Sequence, residues 1–246
     1  DSAILFPATK AIADMAPAEL WSNYVRYIGA GAVACGGILS LIKSLPLIIR
    51  TFKKALGGLG HKGGDLRTEK DLSIKWAMVV VVLVALALVL IPSVPISIIA
   101  AIIIIIFGFF FATVSSRMVG LVGSSNNPVS GMAIATLLIA TMILKATGKT
   151  GIQGMTMAIC IGTVICIIAA MAGDTSQDLK TGYIVGATPY RQQIGELIGA
   201  VCAGLAIAGV LMLLDSAWTF GTDKLPAPQA TLMKMVTEGV MEGNLP

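Results

Sequence analysis

Four polar residues in a row separate two of the most apolar runs of the chain. They are Ser124, Ser125, Asn126 and Asn127, and Pro128 follows them directly. Asn before Pro is a strong signal for a helix start, because the Asn side chain can bind free backbone N–H groups and Pro gives up a donor that would have no partner. The amino end of a helix attracts negative charge. We therefore predict that these residues bind a substrate carboxylate, with a plain capped turn as the alternative.

A second polar stretch, residues 172–200, offers a similar chemistry. Gly173 is predicted to end a span, and Asp174 to begin a short turn with Gln177 as the reciprocal member of a capping box. Thr188 before Pro189 repeats the pattern of a capping residue followed by proline. These features predict two polar breaks on the same side of the membrane. The predicted substrate-binding residues of the second break are Thr175, Gln177 and Thr188.

Ionisable side chains in the same stretch are candidates for coupling transport to protons. Charged groups are costly inside a membrane and are candidates for function wherever they occur there. Asp174 directly follows an apolar run, and Glu196 lies about two turns into another. A helix cap for Asp174 and an ion pair with a neighbouring helix for Glu196 are the structural alternatives. The predicted proton-coupling residues are Asp174, Asp178 and Glu196, and their predicted charge partners are Lys180 and Arg191.

The elements that must position these residues are membrane helices. Hydrophobic residues make up 56% of the 246 and charged residues 12%, and the mean hydropathy is +0.89. These values lie outside the range of ordinary soluble domains. Runs of about 20 apolar residues can cross a hydrocarbon layer roughly 30 Å thick. We predict an all-α, polytopic helical membrane bundle with about six spans, at 24–45, 73–91, 95–114, 128–146, 151–172 and 192–214.

The organisation predicted along the chain is one transmembrane region over 1–246. The loop 50–75 is strongly basic, so the positive-inside rule places it in the cytoplasm. Counting spans from there places both polar breaks on the cytoplasmic side. Residues 226–246 are predicted to begin a further helix. The first residue is Asp1 rather than Met, and we expect the chain to be part of a longer protein.

Cysteine and histidine offer no metal site. The four cysteines, Cys35, Cys160, Cys166 and Cys202, all fall in apolar runs, where cysteine behaves as a small hydrophobic residue. His61 is the single histidine, and its glycine-rich surroundings lack the Gly-Lys-Ser/Thr ending of a phosphate-binding loop. We expect a flexible linker there. We also expect no intrinsic metal and no cofactor.

Longer stretches of the sequence resemble a known family. The segments "GLVGSSNNPVSGM" and "AGDTSQDLKTGYIVGATPYRQQ" are similar to the oligopeptide transporter family, which includes the yellow stripe-like transporters of metal chelates, and particularly to its prokaryotic branch. "WSNYVRYIGAGAVACGGILSLIKSLP" and "PQATLMKMVTEGVMEGNLP" extend the resemblance over nearly the whole chain.

The resemblance implies a proton-driven symporter that carries peptides or peptide-like metal chelates inward. It also implies many helices arranged in inverted repeats, of which this chain would form one portion. The implied location is the cell membrane, most readily a bacterial or archaeal inner membrane. The implied partners are the lipid bilayer, the substrate, protons and the remaining segments of the full chain, with no nucleic acid among them.

Three other classes of protein stay open as alternatives. Asn127-Pro128 resembles the Asn-Pro-Ala half-helices of aquaporin channels, although those need two such motifs. Ala172-Gly173-Asp174 faintly resembles intramembrane aspartyl proteases, whose chemistry needs a second aspartate inside another span. No predicted span has an aspartate at its middle, so we expect no enzyme. A structural membrane subunit without transport activity is the third alternative.

Overall fold

The fold is almost entirely helical. A computed structural model describes residues 4–5, 8–57, 66–123 and 129–243. Within these ranges no β-strand forms beyond an isolated bridge between Thr222 and Leu225. The prediction of an all-α membrane bundle is confirmed. The helices of the described part are α1 Pro17–Leu20, α2 Arg26–Gly57, α3 Ile74–Leu90, α4 Ile98–Val122, α5 Val129–Ala146, α6 Gly151–Val185, α7 Pro189–Trp218 and α8 Pro228–Glu242.

Five segments of the described chain are long and apolar enough to cross a membrane. They are Arg67–Leu90, Ile98–Val122, Val129–Ala146, Gly151–Val185 and Pro189–Trp218. They correspond to five of the six predicted spans. The remaining predicted span, 24–45, is also helical, in a π-helical turn followed by the first part of α2, but it is not one of these five. Helix α2 continues into the predicted loop 50–75, and His61 lies outside the described residues.

Two helices run further than the sequence predicted. The span predicted to end at 114 continues as α4 to Val122, and α6 does not end at Gly173 but continues to Val185. Asp174 and Gln177 therefore do not form a capping box, and the predicted second break begins only at Gly186. Tertiary packing explains the continuation, because Gly173 is buried and the Ser176 hydroxyl donates to the Ser116 carbonyl of α4 over 3.2 Å.

The core lies between α4, α5 and α6. Phe111 of α4, Leu137 of α5, and Ile161 and Ile165 of α6 are almost completely buried. Glycine permits the close approach of helices that membrane bundles favour. A Cβ atom on Gly108 of α4 would lie 2.9 Å from Ile168 Cδ1 of α6. By contrast, α3 and α7 contain no buried residue, so their apolar surfaces remain available to lipid or to other parts of the protein.

Helix α8 packs on the outside of this core. Val236 of α8 clusters with Leu137 of α5, and Lys145 donates to the Val240 carbonyl over 2.8 Å. On the surface of α8, Lys234 and Glu238 form the ion pair expected from their four-residue spacing, with 3.5 Å between Nζ and Oε1. A hydrophobic contact at the middle of α5 and a lysine hydrogen bond at its end therefore join α8 to α5.

Gly154→Ala is expected to destabilise the protein by about 2 kcal/mol. Gly154 lies in the first turn of α6, where an added Cβ would collide with the Lys149 carbonyl and lie 3.0 Å from Met241 Cε. Thermal unfolding of the full-length protein in detergent measures the effect. Gly199→Ala on α7 is the control, because no atom lies within 4 Å of its added Cβ. Equal melting temperatures for the two variants would contradict this packing.

Candidate functional site

A cavity of about 610 Å³ lies between α4 and α6. Its lining residues recur at intervals of three and four along each helix, so each helix contributes one face. The middle of α4 contributes apolar groups, and polar groups follow toward its carboxyl end. The lining residues are Phe109, Ala112, Thr113, Ser116 and Arg117 from α4, and Ala172, Thr175, Ser176 and Leu179 from α6. This volume is within the range of small-molecule sites.

Arg117 is exposed and is the only charged side chain among the described residues that line this cavity. Within the described part of the chain, its guanidinium forms no hydrogen bond and no ion pair. The sequence predictions did not include Arg117, because the span was predicted to end at residue 114. The signal that could have identified it is a single cation following an apolar run with no acidic residue near it in sequence.

The predicted site residues of α6 lie on different faces of that helix. Thr175 lines the cavity, whereas Asp174 and Asp178 are exposed and are not among the lining residues. Gln177 is half-buried outside the cavity. Successive residues of an α-helix are rotated by 100°, which places Asp174 nearly opposite the cavity. The structure thus separates a predicted substrate-binding residue from the predicted proton-coupling carboxylates.

The connection between α6 and α7 is held by Arg67. One guanidinium nitrogen of Arg67 donates to Thr188 Oγ1 over 2.9 Å, and the other donates to the Gly186 carbonyl over 2.8 Å. Thr188 stands at the N-cap position of α7, as its sequence predicted, but its side chain does not cap the helix. It is 6% exposed. The Thr188 hydroxyl thus accepts a hydrogen bond from Arg67, and that it binds a substrate remains a prediction.

Further hydrogen bonds join residues 70–72, which closely follow Arg67, to the first turns of α7. The Tyr190 amide donates to the Lys70 carbonyl over 3.0 Å. The Leu72 amide donates to Gln193 Oε1 over 2.9 Å, and Gln193 Nε2 donates to the Asp71 carboxylate over 3.4 Å. We call residues 66–73 the strap. It connects the end of the basic loop to the α6–α7 connection.

Glu196 and Gln192 lie one turn apart on the inner side of α7. Gln192 donates to the Asp178 carbonyl over 2.9 Å and lies directly on Gly182 of α6. The atoms Gln192 Oε1 and Glu196 Oε1 are buried and have no hydrogen-bond partner among the described residues. Buried polar atoms without partners are rare and call for an explanation. Of the three predicted proton-coupling residues, Glu196 is the one whose carboxylate has a buried oxygen without a hydrogen-bond partner among the described residues.

The predicted charge partners do not contact carboxylates in the described part of the chain. The Lys180 ammonium lies 5.2 Å from the centre of the Tyr183 ring. Arg191 Nε donates to the Tyr190 hydroxyl over 3.2 Å, with the guanidinium 5.9 Å from that ring. Both cations are therefore stabilised by tyrosine side chains.

The first polar break of the sequence falls between the end of α4 and the start of α5. Ser124, Ser125, Asn126 and Asn127 lie outside the described residues. Gly123, with φ of +76°, ends α4 immediately before them, and α5 begins at Val129 immediately after Pro128. The prediction that these four side chains bind a substrate remains a prediction. No group of three or more metal-binding side chains occurs among the residues that are described.

Long apolar helices around a buried core, with polar groups between two of them, define a polytopic helical membrane protein. The family model of the OPT oligopeptide transporter protein matches residues 4–246. The chain belongs to the oligopeptide transporter family, as its sequence motifs predicted.

Two relatives show how much of a family member the chain represents. It is 30% identical to the "Putative oligopeptide transporter" of Haemophilus influenzae, over 92% of this chain and 41% of that protein. It is 27% identical to a "Putative oligopeptide transporter" of Saccharomyces cerevisiae, over 52% of this chain and 17% of that protein. The chain thus spans less than half the length of either relative. No solved structure matches it.

Proposed function

We propose that this chain forms part of a membrane transporter that takes up oligopeptides or peptide-like metal chelates and is driven by the proton gradient. The family match over residues 4–246 is the observation that carries the proposal. Both relatives carry the name "Putative oligopeptide transporter". The location that fits is the cell membrane of a bacterium or archaeon. The protein acts by moving its substrate and is not an enzyme.

The polar groups between membrane helices support a transport role. Hydroxyls and charges within a bilayer are stable where they face other protein or a water-filled path. The cavity between α4 and α6 gathers four hydroxyl groups and one guanidinium. Transporter sites commonly form where helix ends and interrupted helices meet inside the membrane. The α6–α7 connection and the predicted break at residues 124–127 supply such helix ends.

Proton coupling is assigned in this proposal to Asp174, Asp178 and Glu196. Glu196 is the foremost of the three, since its buried oxygen has no donor among the described residues. Asp174 is exposed, and Asp178 contributes its carbonyl to the contact with Gln192. A carboxylate can couple transport to protons by taking up a proton on one side of the membrane and releasing it on the other.

Glu196→Gln is expected to lower peptide uptake driven by a pH gradient at least tenfold, because glutamine cannot exchange a proton. Asp174→Asn is expected to lower it less. Uptake of a labelled tripeptide by the full-length protein in proteoliposomes, with and without an imposed pH gradient, measures both effects. Glu238→Gln is the control, because that carboxylate pairs with Lys234 on α8. Unchanged proton dependence in both variants would contradict the coupling role.

The same vesicles distinguish a transporter from a channel. A transporter saturates with substrate and accumulates it against its concentration gradient when the pH gradient is present. Rapid water or solute flux that is independent of the pH gradient would instead support a channel. Absence of any flux would support the alternative that the protein is a structural membrane subunit without transport activity.

A further inference from the structure

The cavity between α4 and α6, which we call the groove from here on, is apolar at one end and charged at the other. Phe109 and Ala112 form an apolar end, Thr113, Ser116, Arg117, Thr175 and Ser176 supply the polar groups, and Leu179 lies beyond Ser176 at the charged end. Phe109 lies near the middle of α4, and Arg117 lies five residues before its end at Val122. Their separation of eight positions corresponds to about 12 Å along the helix. The groove therefore extends from the middle of a span to a charged group near one end.

The guanidinium of Arg117 has donors to offer but no acceptor within the described chain. The hydroxyl of Thr113 on the same wall already donates to the Phe109 carbonyl over 2.9 Å, and Ser176 donates to the Ser116 carbonyl. Asp174 and Asp178 flank the lining residues of α6 in the sequence, but they are not part of the lining. An arginine presents a planar set of donors that matches a carboxylate with two parallel hydrogen bonds.

The dimensions of the groove select among anionic ligands. An extended peptide advances about 3.3–3.6 Å per residue, so a length of about 12 Å holds roughly three residues. A peptide carboxylate at Arg117 would place the preceding residues beside Thr113 and Thr175 and then beside Phe109. A phosphate of a lipid would instead use only the charged end and leave the apolar portion to acyl chains.

From this geometry, and resting on the proposed function, we propose that the groove binds the free C-terminal carboxylate of a short peptide at Arg117. The last two or three residues of the peptide then extend along α4 toward Phe109. Arg117 is in this case the residue that selects peptides with an unblocked carboxyl end. The hydroxyls of Ser116 and Thr175 are placed to bind the peptide backbone.

A comparison of two ligands on two proteins tests this assignment. Binding of a tripeptide with a free carboxylate and of the same tripeptide as its C-terminal amide is measured by calorimetry on the full-length protein in lipid nanodiscs. We expect the wild type to bind the free acid at least tenfold more tightly than the amide. Arg117→Gln should abolish this preference while binding the amide as the wild type does.

Two further variants keep the test decisive. Arg117→Lys retains the charge without the paired donors, so it should keep part of the preference even if Arg117→Gln folds poorly. Lys149→Gln removes an exposed cation at the opposite end of α6 and should keep the full preference. A wild-type protein that binds acid and amide equally would overturn the proposal, as would Arg117 variants that retain the full preference.

Other outcomes separate this inference from the proposed function. Peptide uptake that continues with an unchanged acid preference in the Arg117 variants overturns the groove assignment and leaves the transport function intact. Absence of peptide binding and uptake in the wild type overturns both. Thermal stabilisation by phosphatidylglycerol that disappears in Arg117→Gln, without any acid preference for peptides, would assign the cation to lipid and overturn the proposal.

Discussion

Replacing Gly162 with leucine is expected to destabilise the protein by more than about 3 kcal/mol. Gly162 is buried in α6, and an added Cβ would lie 3.0 Å from Leu137 Cδ1 of α5. Leu137 is itself fully buried, so the introduced leucine and Leu137 would compete for the same space. Thermal unfolding of the full-length protein in detergent should show a markedly lower midpoint and less protein that extracts as a single species.

A double substitution checks that this one contact is responsible. Gly162→Ala and Leu137→Ala should each destabilise the protein, the first by crowding and the second by leaving a cavity. Together they should cost at least about 1 kcal/mol less than the sum of the single effects, because the new methyl group occupies part of the vacated space. Gly204→Ala on α7, with no atom near its added Cβ, is the control. Strict additivity would contradict the contact.

Arg67→Ala is expected to release the strap from the α6–α7 connection. It removes two hydrogen bonds, of 2.9 Å and 2.8 Å, and leaves the buried Thr188 hydroxyl without its donor. Allowing for the exposure of Arg67, the local cost is about 2 kcal/mol, which corresponds to a roughly 30-fold faster local opening. Hydrogen exchange measured by mass spectrometry on the full-length protein should show this increase in peptides covering 66–73 and 186–193.

Two variants accompany the exchange measurement. Arg67→Lys can keep one of the two hydrogen bonds and should give an intermediate rate. Lys75→Ala removes a cation of α3 that forms no ion pair among the described residues, so it should leave both peptides protected. If Arg67→Ala and Lys75→Ala exchange at the same rate, Arg67 does not hold the connection closed.

The fold could be predicted from the sequence wherever a local signal was strong. The span predicted at 128–146 is observed as α5 Val129–Ala146. Two local signals favour a helix there, the Asn-Pro start and the continuous apolar stretch that follows it. The end predicted at Gly173 was wrong. Gly, Asp, Thr and Ser favour turns and caps when only neighbours in sequence are considered. The burial of Gly173 and the hydrogen bond from Ser176 to α4 override that preference, and the partner of Ser176 lies 60 positions away in the sequence.

The candidate site was less predictable because its parts are distant in sequence. Arg67 contacts Gly186 and Thr188, which follow it by 119 and 121 residues. No local pattern in the basic loop indicates this partnership. Arg117 was missed for a different reason, since the polar residues from Ser115 onward suggested the end of a span. Thr175 was predicted as a binding residue and lines the cavity, but whether it binds a ligand remains a prediction.

Among the described residues, the hydrogen bonds that join helix α7 to the strap and to α6 all lie near its amino end. Its hydrogen bonds to the strap and to α6 involve Tyr190, Gln192 and Gln193, and no residue along its length is buried. Thirty residues of α-helix measure about 45 Å, so a rotation of roughly 10° at Thr188 carries Trp218 through about 8 Å. The helix thus has the proportions of a lever arm. A small rotation at the residues that bond to the strap would therefore become a much larger displacement at the carboxyl end of α7.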